Sequence, residues 1–118
     1  MASSLEPRVF NKELKKGSLE LLILSVLEGH TRHGYQIGKL LEERSDGKLA
    51  FPVSTLYSIL YRMEDREWIA GRWEEKQGKR RRCYYTLTAE GKKVLAQQQQ
   101  EWEAFTAVVN EVIEVDNA

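Results

Sequence analysis

A mainly α-helical fold with one small β-hairpin and a long final helix is predicted by three features of the sequence. Apolar residues recur at three- and four-residue steps in separate short stretches up to about residue 66. The composition then turns β-branched and aromatic in residues 68–74 and 82–87, on either side of a turn with a glycine near its tip. Helical periodicity finally runs without a break from Ala89 to about Glu114. With 118 residues the chain has room for one domain with a modest core, not for two ordinary ones.

Residues 1–8, small and polar with Pro7 near their end, read as a mobile lead. From Val9 to Glu28, Leu14, Leu19, Leu22, Ile23, Val26 and Leu27 share one helical face. Gly17 interrupts this run, so two helices meeting at Gly17-Ser18, with Ser18 as cap, are the alternative. Residues 29–34 read as a turn. A second helix follows over 34–44, burying Tyr35, Ile37, Leu40 and Leu41 and ending at Ser45-Asp46-Gly47. Phe51-Pro52 forbids helix just there, because proline disfavours helical geometry in the residue before it. A third helix runs from Val53 or Ser54 to about Arg66, with Ser54 or Thr55 as cap and Leu56, Ile59, Leu60 and Met63 as its apolar stripe. Residues 68–74 and 82–87 pair as a two-stranded hairpin, which must lean on the helices because a lone hairpin is marginal in water. Thr88 caps the last helix, which at ~1.5 Å per residue is about 39 Å long.

The bulk properties exclude several classes. At 42% hydrophobic and 31% charged the composition is that of a globular protein. The longest apolar run, Leu21 to Leu24, is far short of the ~20 residues of a membrane span. No long apolar region with a cleavage site opens the chain, and Cys83 is the only cysteine, so a reducing cytoplasmic setting is expected. Net charge is zero, but residues 1–88 carry 16 Lys+Arg against 12 Asp+Glu, whereas residues 89–118 carry 2 against 6. A basic body and an acidic tail suit two surfaces of different purpose.

Three helices, a hairpin and a further helix, in that order, are the plan of a winged helix-turn-helix, here residues 1–88, followed by a dimerisation helix over 89–118. In such folds the third helix enters the DNA major groove and the hairpin touches the flanking backbone or the minor groove. Its outer face carries Ser54, Thr55, Tyr57, Ser58, Tyr61 and Arg62, which can hydrogen-bond phosphates and base edges. Two large tyrosines are unusual on a merely solvated face. Lys79-Arg80-Arg81-Arg82 gathers four mutually repelling cations after the hairpin tip, an arrangement that phosphates would stabilise through counterion release. The Tyr35 hydroxyl, at the start of the second helix, is a further candidate for a phosphate.

On the last helix Leu95, Gln98, Trp102, Phe105, Val109 and Val112 are spaced as a heptad seam, which needs a partner helix; a second copy of the chain supplies it. Trp102 and Phe105 carry two readings: dimer core, or the walls of a slot at the dimer axis that sandwiches a flat aromatic effector. No catalytic constellation is present. His30 and His33 flank Arg32 without the cysteines or carboxylates that a metal site would need, and no phosphate-binding glycine loop occurs, so no enzyme activity, metal or cofactor is implied.

Lys16-Gly17-Ser18-Leu19-Glu20-Leu21-Leu22-Ile23-Leu24, His33-Gly34-Tyr35-Gln36-Ile37, Ser54-Thr55-Leu56-Tyr57, Leu60-Tyr61-Arg62-Met63-Glu64, the run Gly78 to Thr88, and Gly91 together resemble the PadR-type repressors. The likeness covers roughly residues 14–112 and points to the short subgroup with a single C-terminal helix. It implies a homodimer that binds a pseudo-palindromic operator and releases it on binding a small effector. In some short members a tryptophan of the last helix pairs across the dimer and stacks on planar drugs; Trp102 stands at the corresponding place. Val53 and Ser58 depart from the small residue or proline of many relatives, so this recognition helix is expected to read different bases. Two other readings are a winged helix that senses metal or redox state, disfavoured by one cysteine and two histidines, and a winged-helix module that binds protein without DNA, disfavoured by the arginine run.

Overall fold

The computed structural model describes residues 12–76 and 78–114, and side chains from residue 17 onward. The lead expected over residues 1–8, the first residues of the first helix, and the Leu14 side chain lie outside the described residues. The order is α1 (Lys12–Leu27), β1 (Arg32–His33), α2 (Gly34–Arg44), α3 (Val53–Asp65), β2 (Ile69–Glu74), β3 (Arg82–Leu87) and α4 (Ala89–Glu114). Helix α1 passes through Gly17 unbroken, so a two-helix entry does not occur. It buries Leu19, Ile23, Leu24, Val26 and Leu27, while Leu22 is half-buried.

The sheet has three antiparallel strands in the order β1-β3-β2, not two. Strand β1 lies inside the segment expected as a turn; Arg32 pairs with Tyr85 and His33 with Tyr84, covering the free edge of β3. The β2–β3 ladder runs from Ile69↔Leu87 to Glu74↔Arg82. Tyr85, Ile69 and Leu95 are each at most 2% exposed and join the helical core of Ile37, Leu56, Leu60 and Met63. The hairpin therefore leans on the helices as its marginal stability alone requires.

Helix ends carry three further findings. His33 caps α2 through a capping box with Gln36: the Gln36 amide donates to His33 Nδ1 (3.3 Å) and the His33 amide donates to Gln36 Oε1 (3.1 Å). Neither Ser54 nor Thr55 caps α3. The helix starts at Val53, Pro52 stands at the cap, and its carbonyl accepts from the Leu56 amide. Both hydroxyls are thereby left on the exposed first turn. Thr88 does cap α4, its Oγ1 accepting from the Gly91 amide (3.0 Å) and donating to the Glu67 carbonyl (2.5 Å).

Two residues expected inside α2 are displaced from the core. Tyr35 is 63% exposed and Leu40 half-buried, because Ile37 and Leu41 already fill the seam against α1 and α3.

Candidate nucleic-acid interface

Helix α3 separates its residues cleanly. Leu56, Ile59, Leu60 and Met63 are buried, while Ser54, Thr55, Ser58, Tyr61 and Arg62 stand exposed on the opposite side. Tyr57 differs from its neighbours. Its ring lies so close to Gly34 that a Cβ there would meet its Cζ and hydroxyl at 2.5 Å. The glycine at the start of α2 thus admits the tyrosine of α3 and sets the approach of the two helices. Burial, and then the neighbouring Tyr61, raise the Tyr57 hydroxyl above the ordinary tyrosine value, so it serves as a neutral donor.

The wing brings the cations to the same side. Arg80, Arg81 and Arg82 border a groove whose other walls are His33 and Tyr35 at the start of α2, Tyr57 and Tyr61 of α3, Trp73 of β2, and Cys83 and Tyr85 of β3. Candidates from three separate elements therefore meet in one groove. Ser54, Thr55, Ser58 and Arg62 are not among its walls; they stand on the free outer surface of α3 beside it. Trp73, 58% exposed, is a wall that the sequence pattern did not single out.

Two arginines are positioned by neighbours. The Arg81 guanidinium sits over the Trp73 ring, 5.4 Å from its centroid. Arg82 Nη1 lies 2.8 Å from His33 Nε2, which sets the wing beside the first turn of α2. Burial, Arg82 and Lys76, in that order, hold His33 below the ordinary histidine value of 6.5. The neutral ring keeps its cap. The stability this contributes is whole above pH 6.5 and is lost as the pH falls through the lowered value.

The seam of α4 is divided. Leu95 belongs to the chain's own core at 2% exposure, so it cannot face a partner helix; Gly91, one turn earlier, packs on Trp68 and draws this part of the helix inward. Beyond it the helix leaves the body. Gln98, Trp102 and Phe105 border a shallow groove with Gly17, Glu20 and Leu21 of α1. Trp102 is 44% exposed, and Phe105, Val108, Val112 and Ile113 are more exposed still, with Val109 half-buried among them.

Among the described residues no group of three histidine, cysteine or acidic side chains is placed to hold a metal ion. No helix among them is long and apolar enough to cross a membrane.

The sequence pattern of the Transcriptional regulator PadR-like family matches residues 23–97. A transcriptional regulator from Clostridium thermocellum is 31% identical, with 86% of this chain and 96% of that one aligned at a TM-score of 0.79. A PadR family transcriptional regulator from Eggerthella lenta is 30% identical over 86% of this chain and 87% of that one, at 0.77. A PadR family transcription regulator from Clostridium difficile is 35% identical over 81% and 98%, at 0.73. The matched span runs from the last turns of α1 to the first turns of α4, taking in the groove between α3 and the wing. This chain belongs to the PadR-like family of transcriptional regulators, a family of DNA-binding proteins.

Proposed function

We propose that this regulator is a homodimeric repressor that places α3 in the major groove of an operator, grips the flanking phosphates with its wing, and lets go when a planar aromatic effector enters beside Trp102. The observation that carries the DNA contact is the exposed hydrogen-bonding face of α3 running into a groove edged by Arg80, Arg81 and Arg82. The arginines act as phosphate ligands, because adjacent like charges are stabilised together by the DNA backbone. Arg80→Ala combined with Arg81→Ala is expected to weaken binding to every DNA sequence alike. It should also flatten the dependence of log affinity on log salt by roughly 0.9 for each phosphate left without its arginine. An unchanged slope would take the wing off the backbone.

Base reading falls to Ser54, Thr55, Ser58, Tyr61 and Arg62, with Tyr35 and Tyr57 as positioning contacts. Arg62→Ala is expected to lose about 1–3 kcal/mol of discrimination between operator and random duplex, since a good base-edge contact is worth that much. Equal losses on both, measured by fluorescence anisotropy, would reassign Arg62 to the phosphates.

The effector reading rests on Trp102 and Phe105, two aromatic side chains exposed on a surface that a second copy would approach. Planar dyes titrated against the protein should quench tryptophan fluorescence, and Trp102→Ala should abolish the binding while the dimer persists. If Trp102 is dimer core instead, the same substitution should weaken the dimer by roughly 3–5 kcal/mol and no dye should bind.

A further inference from the structure

A second cleft opens on the opposite face of β3. Side chains alternate along a strand, so Cys83 and Tyr85 face the groove of α3 while Tyr84 faces this cleft. Its walls are His33 and Gln36 from the start of α2 and Lys76, Lys79, Arg80 and Arg82 from the wing, with Tyr84 as floor. We propose that this cleft is a seat for a phosphoryl group, adjoining the groove of α3, with which it shares His33, Arg80 and Arg82.

Four cations face it and Glu75 is the only carboxylate in its lining. Among the described residues Lys79, Arg80 and Arg82 have no carboxylate within ion-pair distance; the ion pairs present join Arg66 to Glu20 and Arg72 and Lys76 to Glu74. Lys76 is held in place, 4.7 Å over the Tyr84 ring and 3.9 Å from Glu74 Oε1.

The hydrogen bonding at His33 points the same way. The Gln36 amide donates to Nδ1, and Arg82 Nη1 approaches Nε2 at 2.8 Å. A neutral imidazole has one lone-pair nitrogen, and a guanidinium can only donate. Two donors therefore face a ring that can satisfy one of them. An anionic oxygen beside Arg82 supplies the acceptor that the ring lacks. A phosphoryl group offers several such oxygens in different directions, which suits cations converging from the wing and donors from α2.

The phosphoryl group has two sources: a backbone phosphate of the bound DNA, which rests on the DNA reading above, or a phosphorylated small molecule. The first arm of the test measures random-duplex affinity against salt for the wild type, Lys76→Gln and Arg81→Ala. A DNA-borne phosphate predicts that Lys76→Gln flattens the slope by roughly 0.9 per subunit, as Arg81→Ala does. The second arm titrates inorganic phosphate against chloride at matched ionic strength, following the His33 ring protons by NMR. A free phosphoryl ligand predicts a saturable shift with phosphate alone and a raised His33 pKa, both lost in Lys76→Gln. If Lys76→Gln leaves the slope unchanged where Arg81→Ala lowers it, and phosphate does no more than chloride, the seat does not exist. If Arg81→Ala also leaves the slope unchanged, the contact of the wing with DNA has failed, and the phosphate titration alone decides the seat.

Discussion

Val112→Asp is expected to convert the protein to a monomer and to cut its affinity for an operator by 100-fold or more. Val112 is 68% exposed in the single chain, so a carboxylate there costs the fold of the monomer little. In a two-fold dimer built on α4 the same change places two like charges in an apolar seam with no partner for either. The effect on DNA then follows from geometry. Two recognition helices about 34 Å apart engage successive major grooves, and a monomer has only one. Holding both half-sites through one dimer raises affinity by about 10²–10⁴ over a single site. Sedimentation would report the monomer, and binding to an operator recovered by selection from genomic fragments would report the loss. A dimer of undiminished stability would move the seam off this part of α4. Operator binding retained by a proven monomer would remove dimerisation from the mechanism.

The elements that the sequence made legible are those with long or strong periodicity. Strand β3 and helix α4 fall on the expected residues, and the four apolar positions of α3 are the four buried ones. What was hidden depends on contacts distant in the chain. Strand β1 is two residues long, too short for any alternation to show, and exists because β3 offers an open edge. Leu95 fits the heptad spacing as well as Trp102 does. It is core because Gly91 brings the start of α4 against Trp68, a contact that spacing along one helix cannot express. Tyr35 has the spacing of a buried residue yet lies outside, since Ile37 and Leu41 suffice to fill the seam. In the candidate site, the arginine run and the polar face of α3 were legible as residue types. The placement of Arg82 against His33 and of Arg81 over Trp73 was not. That Ser54 and Thr55 have no cap role was equally hidden, because the hydroxyls of the first turn and of the cap look alike in sequence.

Gly91→Ala is expected to cost more stability than any surface substitution proposed above. A Cβ on Gly91 would overlap the Trp68 carbonyl oxygen and lie 2.9 Å from the carbonyl carbon. Both are backbone atoms, so no rotamer change relieves the overlap. That carbonyl accepts the Thr88 amide at 3.0 Å, and the Thr88 hydroxyl caps α4 through the Gly91 amide itself. Pushing the helix outward breaks both bonds and draws Leu95 from the core. Overpacking costs about 1–3 kcal/mol and each broken bond roughly 1 kcal/mol, giving about 3–5 kcal/mol against a total stability of about 5–15. Thermal unfolding should show a midpoint lowered by more than about 10 °C. Gly17→Ala is the control, since a Cβ there meets nothing within 4 Å and alanine favours the helix; its midpoint should hold or rise. A Gly91→Ala midpoint close to that of the wild type would mean that α4 is free to tilt away from Trp68. The distance between the two recognition helices, which α4 sets in a dimer joined through its outer end, would then be adjustable rather than fixed.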